Sequence, residues 1–162
     1  MKPDPVRDAW IDFATKYPFA VRADLTLRSA RWIKNKKNSV GEWIRLNDYR
    51  ASENNRIFLD RLNKRIYGNA YRRYGKKLDV MMVLEKGSLN GRLHVHGLFS
   101  CPEWLPVDDL KRLIDESWSA TPWSYDERLI EDVKSIYGSV RYNVKTGLDA
   151  IDLENTNLSR VD

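Results

Sequence analysis

The sequence predicts an α+β domain built around an antiparallel sheet, and three features carry that prediction. Phe19, Val21, Ala23, Leu25 and Leu27 alternate with Ala20, Arg22, Asp24, Thr26 and Arg28, the period of a strand with one buried face. The segments Leu78–Leu84 and Leu93–Ser100 are apolar enough for the middle of a sheet, and Asn90-Gly91 between them is the strongest short hairpin signal in the chain. Between and around these segments the apolar spacing changes to that of helices.

Taken in order, Val6, Trp10, Phe13 and Ala14 give an amphipathic helix from about Asp4 to Tyr17, closed by Pro18. The strand at Phe19–Arg28 follows. Residues 29–47 are basic and aromatic without a clean period, and read as a loop with a short helical turn. Ile57, Leu59, Leu62, Ile66, Tyr67, Ala70 and Tyr74 define one long helix over Asp48–Tyr74, with Gly75 just past its end. After the central hairpin come a helix over Val107–Trp118 behind Pro106, a strand near Arg128–Lys134, and a helix over Ile136–Thr146 capped by Ser135 and ending near Gly147. Residues 1–147 then form a single domain, and 148–162 a polar, loosely attached C-terminal tail.

Composition bounds the function. A chain of 162 residues has room for one real core. With 28 Lys and Arg against 23 Asp and Glu, the formal charge of +5 favours a polyanionic partner. The lone cysteine, Cys101, excludes an internal disulfide and a cysteine zinc cluster, and is expected to be structural at a strand end. There is no 18-residue apolar run and no signal-peptide pattern, so a soluble, intracellular protein with no membrane partner is expected.

The only two histidines, His94 and His96, are one residue apart, and strand alternation points them to one face. A two-residue type I′ turn at Asn90-Gly91 would set Glu85 opposite His96 and Gly87 opposite His94, and any even-length loop keeps Glu85 on the histidine face. Two imidazoles and a carboxylate there can hold a divalent metal, and the set suits magnesium or manganese held against a phosphate as well as it suits zinc. Later in the chain, Tyr142 and Lys145 are three apart on one helix face. Attack on a phosphodiester needs an oxygen nucleophile, a cation at the non-bridging oxygens, and positive charge near phenol or phosphate. Tyr142, the metal site, and Lys145 with Arg141 could supply these. The alternative for Tyr142 is that it is one of eight tyrosines, packed or displayed to solvent.

Asp24-Leu25-Thr26-Leu27, then His94-Val95-His96 with an upstream acid, then Tyr142-Asn143-Val144-Lys145, in that order, resemble the three motifs of the HUH endonucleases, specifically the rolling-circle replication initiator (Rep) nuclease domain. The likeness runs from about Phe19 to Lys145. It implies a central antiparallel sheet of about five strands flanked by helices, with an RRM-like core. It further implies Mn²⁺ or Mg²⁺ on His94 and His96 with Glu85 as third ligand, and Tyr142 attacking single-stranded DNA at an origin hairpin or nick site. The products would be a 5′-phosphotyrosine and a free 3′-hydroxyl, with Lys145 assisting. In the first motif, Ala23, Asp24 and Leu25 stand where the family usually has an aromatic ahead of the threonine, and Asp24 is an extra polar contact. A helicase, where one is needed, would come from elsewhere. The expected setting is the cytoplasm of a bacterial host, or the nucleus for a eukaryotic virus. Tyr137 lies five residues before Tyr142, roughly 140° around a helix, and is expected to pack against the sheet, leaving a single-tyrosine enzyme. For the DNA, Trp32, Lys34, Lys36, Lys37 and Trp43 combine rings for bases with charge for phosphates, with Thr26 and Arg28 as further contacts, and the helix bearing Arg61, Lys64, Arg65, Arg72 and Arg73 is second choice. The rivals are a single-tyrosine HUH transposase and a non-catalytic basic DNA-binding module.

Overall fold

The computed structural model describes residues 2–87 and 91–159. Its order is α1 (Pro5–Ala14), β1 (Phe19–Leu27), β2 (Ala30–Lys34), β3 (Gly41–Arg45), α2 (Asp48–Tyr67), α3 (Asn69–Tyr74), β4 (Val80–Lys86), β5 (Leu93–Ser100), α4 (Val107–Ser119), β6 (Ser124–Asp132) and α5 (Ile136–Asn143), followed by a short 3-10 turn at Leu148–Ala150. The α+β class stands, but the main sheet has four antiparallel strands, in the order β4-β5-β1-β6, where about five were expected.

Three helix starts follow from side-chain caps. Asp4 accepts from the Arg7 amide ahead of Pro5, Asn47 from the Arg50 amide, and Ser135 from the Gly138 amide. The long helix expected over 48–74 breaks in two at Gly68, whose φ of 52° lies in the left-handed region that a side chain disfavours. Gly75 caps the second piece at φ 65°, as its place after the last apolar residue suggests.

One face of the sheet carries Val21, Ala23, Leu25 and Leu27 of β1, Val80 and Met82 of β4, and Val95 and Phe99 of β5, covered by α2 and α4. Phe58 of α2 stands edge-on to both Trp118 and Phe99, with ring centroids 5.4 and 6.1 Å away. The opposite face packs Met81, Val83 and Leu98 under Ile11 and Ala14 of α1 and Val140 of α5, with Val144 just past it. Beyond that second cluster, the same face is polar.

Two expectations are corrected here. β4 reads as a central strand but is an edge strand; β5 and β1 are the middle pair. The C-terminal segment, expected to be loose, is the reason. Val80 and Asn157 exchange both backbone bonds, at 2.8 and 2.9 Å, the Asp152 amide donates to the Met82 carbonyl at 2.9 Å, and Ile151 joins the second cluster. This strap satisfies the outer edge of β4 and shields it from water, so the strand can be apolar on both faces. Asp152 is buried and holds the strap to α2, accepting from Ser52 Oγ at 2.9 Å, Asn55 Nδ2 at 2.9 Å and Asn155 Nδ2 at 2.8 Å.

The basic stretch expected as a loop with a helical turn is instead a two-stranded ribbon, β2 paired with β3. No residue of it is fully buried, and only Ile44 packs against the main core, which is why its sequence shows no clean alternation. No helix among the described residues is long and apolar enough to cross a membrane.

Replacing Asp152 by Ala removes three hydrogen bonds to a buried carboxylate and leaves the buried Asn55 Nδ2 without its acceptor, and should lower stability to urea unfolding by about 3 kcal/mol with an unchanged slope. An unchanged midpoint would show that the strap is not fastened through this residue.

Candidate active site

The β1–β5 ladder sets Asp24 opposite His96 and Thr26 opposite His94, and the β4–β5 ladder sets Glu85 opposite His94. All five side chains therefore stand on one face, which alternation along each strand requires. The register differs by two residues from that expected, in which Glu85 faced His96. The Gly87 amide donates to the Arg92 carbonyl at 2.7 Å, so the strands part there and a two-residue turn at Asn90-Gly91 does not join them. Asn90 itself lies outside the described residues. A shift of two preserves the face, and Glu85 reaches His96 diagonally.

His96 is held from both sides. Its Nδ1 lies 2.7 Å from Asp24 Oδ1 and its Nε2 lies 2.9 Å from Glu85 Oε2. Burial on its own would raise the Asp24 carboxyl, but the hydrogen bond and charge of His96, with Arg22 and Lys145, hold it below the usual carboxylate range. Ionised Asp24 can only accept, so Nδ1 carries a hydrogen and donates it. In the neutral tautomer the Nε2 lone pair then faces a carboxylate oxygen. Two acceptors at that distance repel unless a proton or a cation lies between them.

Glu85 is shared. Its other oxygen lies 3.3 Å from the Lys145 ammonium, which stands 3.8 Å from the centre of the Tyr142 ring. Interaction with Tyr142 is the largest cause holding the Lys145 ammonium above its ordinary pKa; burial opposes it and Glu85 adds to it. The Tyr142 ring meets the His96 ring edge-on, with centroids 5.9 Å apart. Tyr142 is 48 % exposed, open enough for its hydroxyl to meet a bound chain. Helix α5 ends at Asn143 and not at the expected Thr146, so Lys145 lies just past the helix; its amide bonds to the Tyr142 carbonyl in the closing turn, which keeps the two side chains together.

His94 is half-buried and has no hydrogen-bond partner among the described residues. Burial first, then the charges of His96 and Arg92, lower its imidazole below the usual value, which leaves a lone pair at neutral pH. No three His, Cys, Asp or Glu side chains among the described residues already converge as a metal cage. The donor chemistry nevertheless fits a divalent cation. A lone pair on His96 Nε2 and an oxygen of Glu85 converge, Asp24 orients the imidazole from behind as outer carboxylates do for metal-bound histidines, and His94 stands opposite Glu85 in the ladder.

The remaining expected residues divide. Thr26 is buried and donates its hydroxyl to the Glu127 carbonyl, which ties β1 to β6. Arg141 is exposed on α5, and Lys34, Lys36 and Lys37 are exposed on the ribbon. Arg28 donates through Nε to the Ser124 carbonyl at 2.9 Å, and Trp32 and Trp43 face each other across the ribbon. Among the described residues, no hydrogen bond, ion pair or ring contact joins these residues to the histidine site. Tyr137 does not pack on the sheet: it is 54 % exposed. On the helix of second choice, Lys64 and Arg65 are taken up by Asp60 and Glu116.

Asp24 is more than an extra polar contact, since it sets the tautomer of His96. Sequence reasoning missed Arg22 and Glu131, which pair at 2.6 Å beside it. Their signal was present for Arg22, which shares the alternating face of Asp24, and absent for Glu131, whose strand could not be registered from sequence.

Compared with protein-family models, curated proteins and solved structures, the chain matches none.

In metal-free protein, ¹⁵N spectra should show His96 Nδ1 protonated at neutral pH, and Asp24→Ala should abolish that preference. An unprotonated Nδ1 in the unsubstituted protein would overturn this orientation of the imidazole.

Proposed function

We propose that this chain is a metal-dependent, sequence-specific endonuclease and strand transferase for single-stranded DNA, of the HUH replication-initiator kind, with Tyr142 as nucleophile. One observation carries the reading: residues from three separate parts of the chain, Glu85, His96 and the Tyr142–Lys145 pair, meet on one sheet face, with the tyrosine against the histidine. A surface tyrosine with no chemical task has no need of a lysine and a buried imidazole–carboxylate pair at its ring.

Each residue takes a role that its position supports. Tyr142 Oη attacks the scissile phosphorus, an O–P bond forms, the P–O3′ bond breaks, and the phenol proton passes by way of solvent to the departing 3′ oxygen. The DNA is left as a 5′-phosphotyrosine and a 3′-hydroxyl, the end from which rolling-circle synthesis is primed. Lys145 offers positive charge to the attacking oxygen and the phosphate. His96, Glu85 and His94 would hold Mn²⁺ or Mg²⁺, with Asp24 positioning His96. When bound, the ion supplies charge to the non-bridging oxygens of the phosphate.

Tyr142→Phe should abolish a covalent protein–DNA adduct on single-stranded origin oligonucleotides, cutting the rate by at least about 1,000-fold, while Tyr137→Phe leaves it unchanged. Gel shift under denaturing conditions reads the adduct, and its survival in Tyr142→Phe would end the assignment. Chelation should stop the reaction and added Mn²⁺ restore it, and Asp24→Ala should raise the Mn²⁺ concentration needed by about 10- to 100-fold. Cleavage that persists in EDTA and in His96→Ala would remove the metal from the proposal.

A further inference from the structure

We propose that the β2–β3 ribbon is a separate clamp for unpaired DNA, in which a base stacks on Trp32 or Trp43 in a slot against residues 119–124. The choice of single-stranded DNA rests on the function proposed above; the clamp is a second contact, outside the histidine site.

Apolar side chains on a two-stranded ribbon ordinarily turn inward. Here Trp32 and Trp43 form a directly opposed cross-strand pair, edge to face at 5.7 Å, yet remain 54 % and 68 % exposed. The indole of Trp32 lies across Gly41, where a Cβ would sit 2.2 Å from the ring, so the glycine makes room for this arrangement. Two large rings held open to solvent are a stacking platform for flat partners.

The charge selects the partner. From Arg28 to Arg45 the chain carries Arg28, Arg31, Lys34, Lys36, Lys37 and Arg45 against one carboxylate, Glu42. None of these six makes an ion pair among the described residues, whereas Arg56, Lys64, Arg65, Lys111, Arg112 and Arg128 are all paired with carboxylates. Six cations and one carboxylate thus accompany the exposed rings, the combination that tracks phosphates while bases stack.

The slot gives the platform a second wall. A cavity of about 460 Å³ is lined by Trp32 and Trp43 of the ribbon together with Arg28, Arg31, Ser119, Thr121, Pro122 and Ser124. That wall is fixed from below, because buried Asn54 donates to Thr121 Oγ1 and accepts from the Trp123 amide, both at 3.0 Å. Arg31 lies over the Trp123 ring at 5.2 Å. The ribbon begins soon after Thr26, the partner of His94 in the sheet, so one strand could run from slot to site around the end of β1.

The test is binding without chemistry: fluorescence anisotropy of a labelled oligothymidylate of about 12 nucleotides, in EDTA, on Tyr142→Phe protein that cannot form the tyrosyl link. Trp43→Ala should weaken binding by roughly 5- to 100-fold, Trp43→Phe should restore most of it, and Gly41→Val, which drives a side chain into Trp32, should weaken it as well. Lys36→Ala with Lys37→Ala should lower the slope of log affinity against log salt by about 1.4, which Trp43→Ala should leave unchanged. A duplex of the same length should bind less tightly and be insensitive to Trp43→Ala. Unchanged oligothymidylate affinity in both Trp43→Ala and Gly41→Val overturns the clamp and points to a protein partner for the ribbon. Because no cleavage is measured, the clamp can hold if the nuclease reading fails, and unchanged affinity in these variants would sink the clamp alone.

Discussion

Everything at the candidate site depends on the pairing of β1 with β5. On the buried face, Val21, Ala23, Leu25 and Leu27 meet Val95 and Phe99 under two helices, and all of these are almost wholly removed from water. Sliding one strand by a residue would turn that row outward and bring charged groups into the core, at a cost of several side chains' worth of apolar burial. The hydrophobic face therefore holds the polar face in register. Asp24 stands opposite His96, and Thr26 opposite His94, because the leucines and valines behind them have only one good alignment.

Given that register, the electrostatics of the site have little freedom. Asp24 takes the Nδ1 hydrogen of His96, so Nε2 faces Glu85, and the pair calls for a positive species between them. Glu85 in turn draws Lys145, and Lys145 sits over Tyr142. The order of contacts runs from the middle of the sheet outward to a half-exposed phenol. The C-terminal strap supports it from the far side, since Ile151 packs with Val140 and Val144, the residues that seat α5 on the sheet.

Much of this was readable in the chain. The alternation of β1, the single face shared by His94, His96 and Glu85, the Ser135 cap and the neighbourhood of Tyr142 and Lys145 are local consequences of periodicity, and local rules hold where one face is buried. The failures have equally local causes. Within residues 29–47 the ribbon has no fully buried residue, so no clean period betrayed its strands. β4 looked central because the strap, more than sixty residues away in sequence, covers its edge. The Asn90-Gly91 signal suggested a tight turn, yet strand pairing ends at Gly87 and Arg92, since the register of β5 is decided by β1 and by the core and not by the turn.

The sequence by itself determined the α+β class, the shared histidine face and the identity of the candidate nucleophile, because strand and helix periods are properties of neighbouring residues. Only the tertiary structure decided that Asp24 orients His96, that Thr26 is bonded to β6, that residues 151–157 lock β4, and that two tryptophans stay open to solvent beside cations without ion pairs among the described residues. Each of these rests on contacts between segments far apart in the chain, whose register is set by the packing of the whole core and by no local signal.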